Sequence, residues 1–203
     1  MKLVEVFSNT ITNAVILDII AFCDQNSSDD NYKFDHTCFR QKPNNWYSLM
    51  FDDSKFVQGR GGLVLAYEDG KLIGMSGYYR SSIDPKIYIG AVRTLIHKQY
   101  RHYLLTTKAF IPYQVSAIQQ LGGACVLWLF ETEKEKGFYR VVKKQSVKQQ
   151  LDNDKRNYNS EILRYTEILD YPILVHGKPL NAFVRTIDPE FKFDWSTLKV
   201  VGS

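Results

Sequence analysis

Arg101, His102 and Lys108 fall together just after the apolar run at residues 87–96, where a strand-like pattern gives way to a helix-length one. A helix that opens straight after a strand aims unpaired backbone N–H groups, and about half a positive charge, at whatever lies beyond its first turn. Such a turn suits a diphosphate, and basic side chains beside it add charge-assisted contacts. Residues 100–107 form the candidate cradle, although an ordinary strand-to-helix turn with a solvated basic rim reads the same from these residues alone. The other chemistry-bearing side chains are scattered. Cys23, Cys38 and Cys125 have no metal-ligand spacing, and their odd number argues against a disulfide framework. His36, His97, His102 and His176 form no His-Glu-x-x-His pattern, so no metal is expected.

The elements that must position these residues come from the hydrophobic pattern. With 203 residues, 44% of them hydrophobic and 14% aromatic, the chain can bury a sizeable core. Its formal net charge of +4 is too small to single out nucleic acid or a membrane as partner. The basic residues at 140–156 are interleaved with Asp152 and Asp154 and read as a solvated face rather than a nucleic-acid surface. The most apolar early stretch, residues 14–23, contains Asp18 and is about half the roughly 20 residues a membrane span needs. No basic cap, apolar run and cleavage site open the chain, so a cytoplasmic location is expected.

Residues 14–22 predict a largely buried helix behind the caps at 9–13. Residues 34–56 predict a short helix carrying Trp46 and Tyr47. Two strands at 63–67 and 72–79, joined by Asp69-Gly70, predict a hairpin. A mostly apolar central strand follows at 87–96, then a helix at 104–121 that Pro112 should kink, an apolar strand at 124–130 and a helix at 131–144. Residues 143–159 read as an exposed connection, and strands are predicted at 162–169 and 182–187. Strand, helix, strand of this length implies a right-handed crossover within one sheet. The sum is a single α/β domain over residues 1–203, with N-terminal helices at 1–60, a core at 61–144, and C-terminal strands and tail at 145–203.

Two junctions in this order resemble the GCN5-related N-acetyltransferase (GNAT) family. Val92-Arg93-Thr94-Leu95-Ile96-His97-Lys98-Gln99-Tyr100-Arg101-His102-Tyr103-Leu104 is similar to its acetyl-CoA motif, a strand entering Gln/Arg-x-x-Gly-x-Gly/Ala and a helix, with Gln99 as the opening residue. The stretch from Trp128 to Tyr139 resembles the family's second junction, a strand followed on the next helix by Phe-Tyr, here Phe138 and Tyr139. The departures are His102 and Leu104 in place of glycines, Thr132 in place of Asn, and Val142-Lys143 in place of Gly-Phe. Bulk at 102 and 104 either narrows the loop or requires helical dihedrals there.

The resemblance implies a mixed, mostly antiparallel sheet flanked by helices, with a central strand pair that splays to admit acetyl-CoA. It further implies that Leu95, Ile96 and His97 lend backbone groups to the pantetheine arm. Arg101, His102, Tyr103, Leu104, Leu105, Thr106 and Thr107 would hold the pyrophosphate, with Thr132 and Phe138 beside the donor. Tyr139 would protonate the leaving thiolate, as a phenol of pKa ~10 can at neutral pH. Glu131, at the open end of the second strand, is the first candidate for the base that frees the acceptor amine, with Glu133 and His97 behind it; a carboxylate there also suits the start of the following helix. The implied activity is acetyl transfer to a small-molecule or peptide amine by direct attack. The alternatives are a non-catalytic coenzyme A-binding or scaffold protein of the same fold and an RNA-associated module using residues 140–156. Residues 162–187 could also pair across a homodimer.

Overall fold

The computed structural model describes residues 1–26, 54–103, 105–130 and 166–200. A sheet of order β1-β2-β3-β4-β5-β8-β6 runs through them, with β7 paired to β8 beside that path. Its strands are β1 Lys2–Val6, β2 Gly61–Glu68, β3 Lys71–Arg80, β4 Ile87–Ile96, β5 Cys125–Phe130, β6 Thr166–Ile168, β7 Ile173–Val175 and β8 Lys178–Thr186. Every pairing is antiparallel except that of β4 with β5. Such a mixed, mostly antiparallel sheet with helices packed on it is the expected fold class.

Helix α1, Asn13–Asn26, covers one face of the sheet. Thr12 starts it by accepting the Val15 and Ile16 amides through its hydroxyl and carbonyl, and Asn26 ends it by donating to the Phe22 carbonyl at 2.8 Å. Val15, Ile16, Ile19 and Ile20 are β-branched and weak helix formers, at a cost of up to ~0.7 kcal/mol each. Burial of Ile16, Ile19 and Phe22 against Leu63, Leu65, Met75 and Leu95 contributes roughly 1.5–3 kcal/mol per side chain, so packing outweighs propensity.

Helix α2, Ile111–Gln120, covers the other face, where Ile111 and Ile118 meet Tyr78, Tyr88, Val126 and Trp128. The chain is already helical from Leu105, but Thr106–Phe110 is π-helical. Pro112 lacks the N–H an α-helix needs at that point, and the ladder slips so that the Ile111 amide reaches back to the Thr106 carbonyl. The irregularity expected of Pro112 is therefore a π-turn just before it.

Three elements differ from the sequence expectation. The stretch assigned to N-terminal helices begins with a strand, β1, which adds an edge to the β2–β3 hairpin. Residues 173–175 and 178–186 form a further hairpin turned by His176 and Gly177, both at positive φ (50° and 74°). That is the same two-residue turn as Asp69-Gly70 between β2 and β3. The strand expected at 162–169 spans Thr166–Ile168 within the described residues. The helices expected at 34–56 and 131–144 and the connection at 143–159 lie outside the described residues, apart from a single 3-10 turn at Ser54–Phe56.

Candidate active site

The parallel ladder between β4 and β5 consists of three pairs, Ile87 with Cys125, Tyr88 with Val126 and Ile89 with Leu127. Beyond them β4 stays bonded to β3 as far as Ile96, and β5 stays bonded to β8 as far as Phe130. The two halves of the sheet thus remain intact while the strands between them part, as expected of the central pair.

The register of β4 on β3 explains the parting. Tyr79 pairs with Ile89, Gly77 with Val92 and Met75 with Leu95, so each two-residue step on β3 faces three residues on β4. Two bulges result, and each contains a non-glycine residue at positive φ, Ala91 at 54° and Arg93 at 52°. Bulges bend a strand and increase its twist, and the first of them begins at Gly90, one residue past the last pair with β5. A buried polar network holds this shape. Gln114 of α2 accepts the Ala91 amide and donates to Ser76 Oγ at 2.9 Å and to the Gly77 carbonyl at 3.2 Å. Ser76 and Thr94 share a hydrogen bond of 2.7 Å, and Thr94 Oγ1 lies 2.8 Å from the Ala91 carbonyl it donates to.

At the wide end, β4 runs into a 3-10 turn, Lys98–Tyr103. His97 donates its amide to the Ile73 carbonyl at 2.9 Å, and its Nδ1 accepts the Gln99 amide at 3.3 Å. Arg101 Nε donates to the Ile96 carbonyl at 3.1 Å, folding the guanidinium back over the strand end. His102 takes helical backbone dihedrals in this turn, one of the two ways a bulky residue fits where a glycine is usual. A cavity of about 570 Å³ adjoins the turn, bounded by His97, Gln99 and Tyr100, by Asp18, Phe22 and Gln25 of α1, and by the β2–β3 turn.

The side chains of Leu95, Ile96 and Leu105 are core, which leaves only their backbone groups for a ligand. The His97 N–H and the Ile96 carbonyl already have partners in the fold. Tyr103 lies in the 3-10 turn, while Thr106 and Thr107 open the π-turn, half-buried. Leu104, Glu131, Thr132, Phe138 and Tyr139 lie outside the described residues. Tyr78, Tyr79 and Tyr88 are buried in the core.

Sequence reasoning missed the Gln114 network. A lone Gln in a helix gives no signal, although Gly90 inside an apolar strand is a known marker of a bulge. It also missed Glu5, whose carboxylate accepts from Tyr78 and, at 3.3 Å, from Tyr113. Burial first, and then the Glu5 hydrogen bond and charge, push the Tyr78 phenol well above its usual range.

The fold matches solved acetyltransferases over almost its whole length. Aminoglycoside 6′-acetyltransferase type Ii is similar with a TM-score of 0.59 at 13% identity, covering 94% of this chain and 100% of that one. A GNAT-family acetyltransferase from Staphylococcus aureus Mu50 gives 0.55 at 11% identity, covering 92% and 100%. PaiA N-acetyltransferase from Thermoplasma acidophilum, in complex with coenzyme A, gives 0.53 at 10% identity, covering 92% and 99%. The protein has the GNAT acetyltransferase fold. No family model matches the sequence, and neither does any curated protein. Among the described residues no helix is long and apolar enough to cross a membrane, and no group of three or more His, Cys, Asp or Glu is placed to hold a metal ion.

Proposed function

We propose that the protein is an acetyl-CoA-dependent N-acyltransferase that moves an acetyl group to a primary amine by direct attack in a ternary complex. The observation that carries this reading is the end of β4–β5 pairing at Ile89 and Leu127 inside an otherwise bonded sheet. An opening of that kind offers backbone groups along β4 to an extended arm. The turn at Lys98–Tyr103, with helix beginning at Leu105, stands at its wide end, where the diphosphate of an acyl donor would meet backbone N–H groups and Arg101. The helical backbone at His102 is compatible with a side chain in that cradle.

On this reading Leu95, Ile96 and His97 line the arm with backbone, and Arg101, His102, Tyr103, Leu104, Leu105, Thr106 and Thr107 surround the diphosphate. Thr132 and Phe138 flank the donor, Tyr139 protonates the departing sulfur, and Glu131 or a water takes the amine's proton. The acceptor is a small-molecule or peptide amine. A second copy of the chain would pair through residues 162–187, where β6 ends the strand order among the described residues.

Calorimetry with acetyl-CoA, followed by free-thiol release with a panel of amines, tests the proposal. Binding with turnover is expected. Binding of coenzyme A without turnover on any amine would favour a scaffold of this fold, and no heat at millimolar ligand would remove the reading altogether.

A further inference from the structure

Trp128 is 1% exposed on the α2 face of β5, and its indole Nε1 has no hydrogen-bond acceptor among the described residues. A buried indole N–H usually finds a partner, because it gives up its water on burial and regains nothing if left alone. The location of this one is specific. Gly90 and Trp128 are the first residues past the last β4–β5 pair. A Cβ on Gly90 would stand 2.8 Å from Nε1, so the indole nitrogen lies against β4 at the apex of the opening, in room that only a glycine leaves. The neighbouring backbone donor, the Ala91 amide, is already given to Gln114.

We propose that the Trp128 indole N–H is the hydrogen-bond donor for the acyl carbonyl oxygen of a thioester bound between β4 and β5. This rests on the acyltransferase reading and adds to it a residue that touches the reacting carbonyl. The length of the opening fits. Six residue steps from Gly90 to Ile96 span about 20 Å at ~3.3 Å per residue, less what the two bulges take up. An extended chain covers roughly 3.3–3.6 Å per three bonds, so the about fourteen bonds from the nearer phosphorus of acetyl-CoA to its acyl carbon reach about 16 Å. With the diphosphate at the turn after Ile96, the acyl end falls near the apex, where the unbonded donor is.

In the reaction the amine lone pair forms the C–N bond at the acyl carbon while the C=O π pair moves onto oxygen. Its return breaks the C–S bond; the sulfur leaves with the electron pair and takes a proton, and the nitrogen gives one up to a base or to water. Negative charge grows on the oxygen during attack. A donor at the apex of the opening and sheltered from water therefore holds the transition state more tightly than the thioester.

Indole ¹H–¹⁵N spectra test the assignment. The protein has three tryptophans, so three cross-peaks are expected. The Trp128 peak is assigned by its loss in Trp128→Phe or, if that variant does not fold, by elimination with Trp46→Phe and Trp195→Phe. Acetyl-CoA should move the Trp128 indole proton downfield. Coenzyme A, with the same diphosphate and arm but no acyl carbonyl, should leave it near its free position. In Trp128→Phe, kcat should fall on the order of 10²-fold while the Kd of coenzyme A changes by less than about threefold. If the wild-type protein binds neither ligand, the acyltransferase reading fails and the assignment with it. If it binds both and the Trp128 peak answers them identically, or Trp128→Phe keeps its kcat, the assignment alone is overturned.

Discussion

Gln114 Oε1 stands 3.0 Å from the amide nitrogen of Ala91, so a helix side chain supplies the acceptor for β4 at its first bulge, just where β5 has turned away. Gln114→Met keeps a similar volume and removes this contact together with those to Ser76 and Gly77. The Ala91 N–H and the Gly77 carbonyl would then be buried without that partner. Unfolding free energy should drop by about 2–4 kcal/mol in urea titration with an unchanged m-value. A loss below about 1 kcal/mol would mean that water or a backbone shift replaces the amide.

Ala91 itself sits at φ 54°, a conformation that costs an L-residue roughly 1–2 kcal/mol and glycine almost nothing. Ala91→Gly should therefore stabilise the protein by about 0.5–1 kcal/mol once the greater freedom of glycine in the unfolded chain is subtracted. Its melting temperature should rise by a few degrees at most, about 2–4 °C per kcal/mol for a chain of this size. The same change at Arg93 should not stabilise, because its guanidinium lies 5.2 Å from the centre of the Phe56 ring. Equal melting temperatures for wild type and Ala91→Gly would argue against strain at the bulge.

The ease of reading this fold followed the range of the interactions that define each part. The Asp69-Gly70 hairpin, the apolar β4 and β5 and the buried helix α1 were legible because turn chemistry and periodicity are local. The His176-Gly177 hairpin carries the same turn, but β7 has only three residues and its alternation was too short to register. Strand β1 is only five residues long and lay inside the stretch assigned to N-terminal helices; it pairs with the edge that β2 offers from Leu63 to Tyr67. The bulges depend on Gln114 meeting Ala91 across 23 residues, a contact no local pattern encodes. The acyl-donor motif was legible as a resemblance, yet Glu131, Phe138 and Tyr139 fall outside the described residues.

Tyr139→Phe separates proton donation from binding. Removing one hydroxyl leaves the ring to pack, so coenzyme A affinity should stay close to that of wild type while the acetyl-transfer rate falls on the order of 10²-fold. The comparison is made at saturating acetyl-CoA, where the rate reports the chemical step. An unchanged rate would take Tyr139 out of the mechanism and return the proton to water.

Cys23 and Cys125 should make stability fall at alkaline pH. Burial, helped by Asp24 for the first and by Asp84 and then Glu167 for the second, pushes both thiols up from 9.0 to about 12. An unfolded chain gives up these protons near pH 9 while the folded chain keeps them, so between pH 9 and 12 the native state binds more protons. Stability is then full below pH 9 and falls as pH rises, by roughly 1 kcal/mol per pH unit for each thiol. Tyr78, raised by burial and by Glu5, adds to the decline above pH 10. Urea midpoints at pH 8, 9.5 and 10.5 should decrease in that order, and Cys125→Ala should have a shallower slope than wild type. The same burial should keep Cys23 and Cys125 unreactive toward a thiol reagent at pH 8 until the chain unfolds. A midpoint that holds level from pH 8 to 10.5 would mean that these thiols ionise in the folded chain as they do in water.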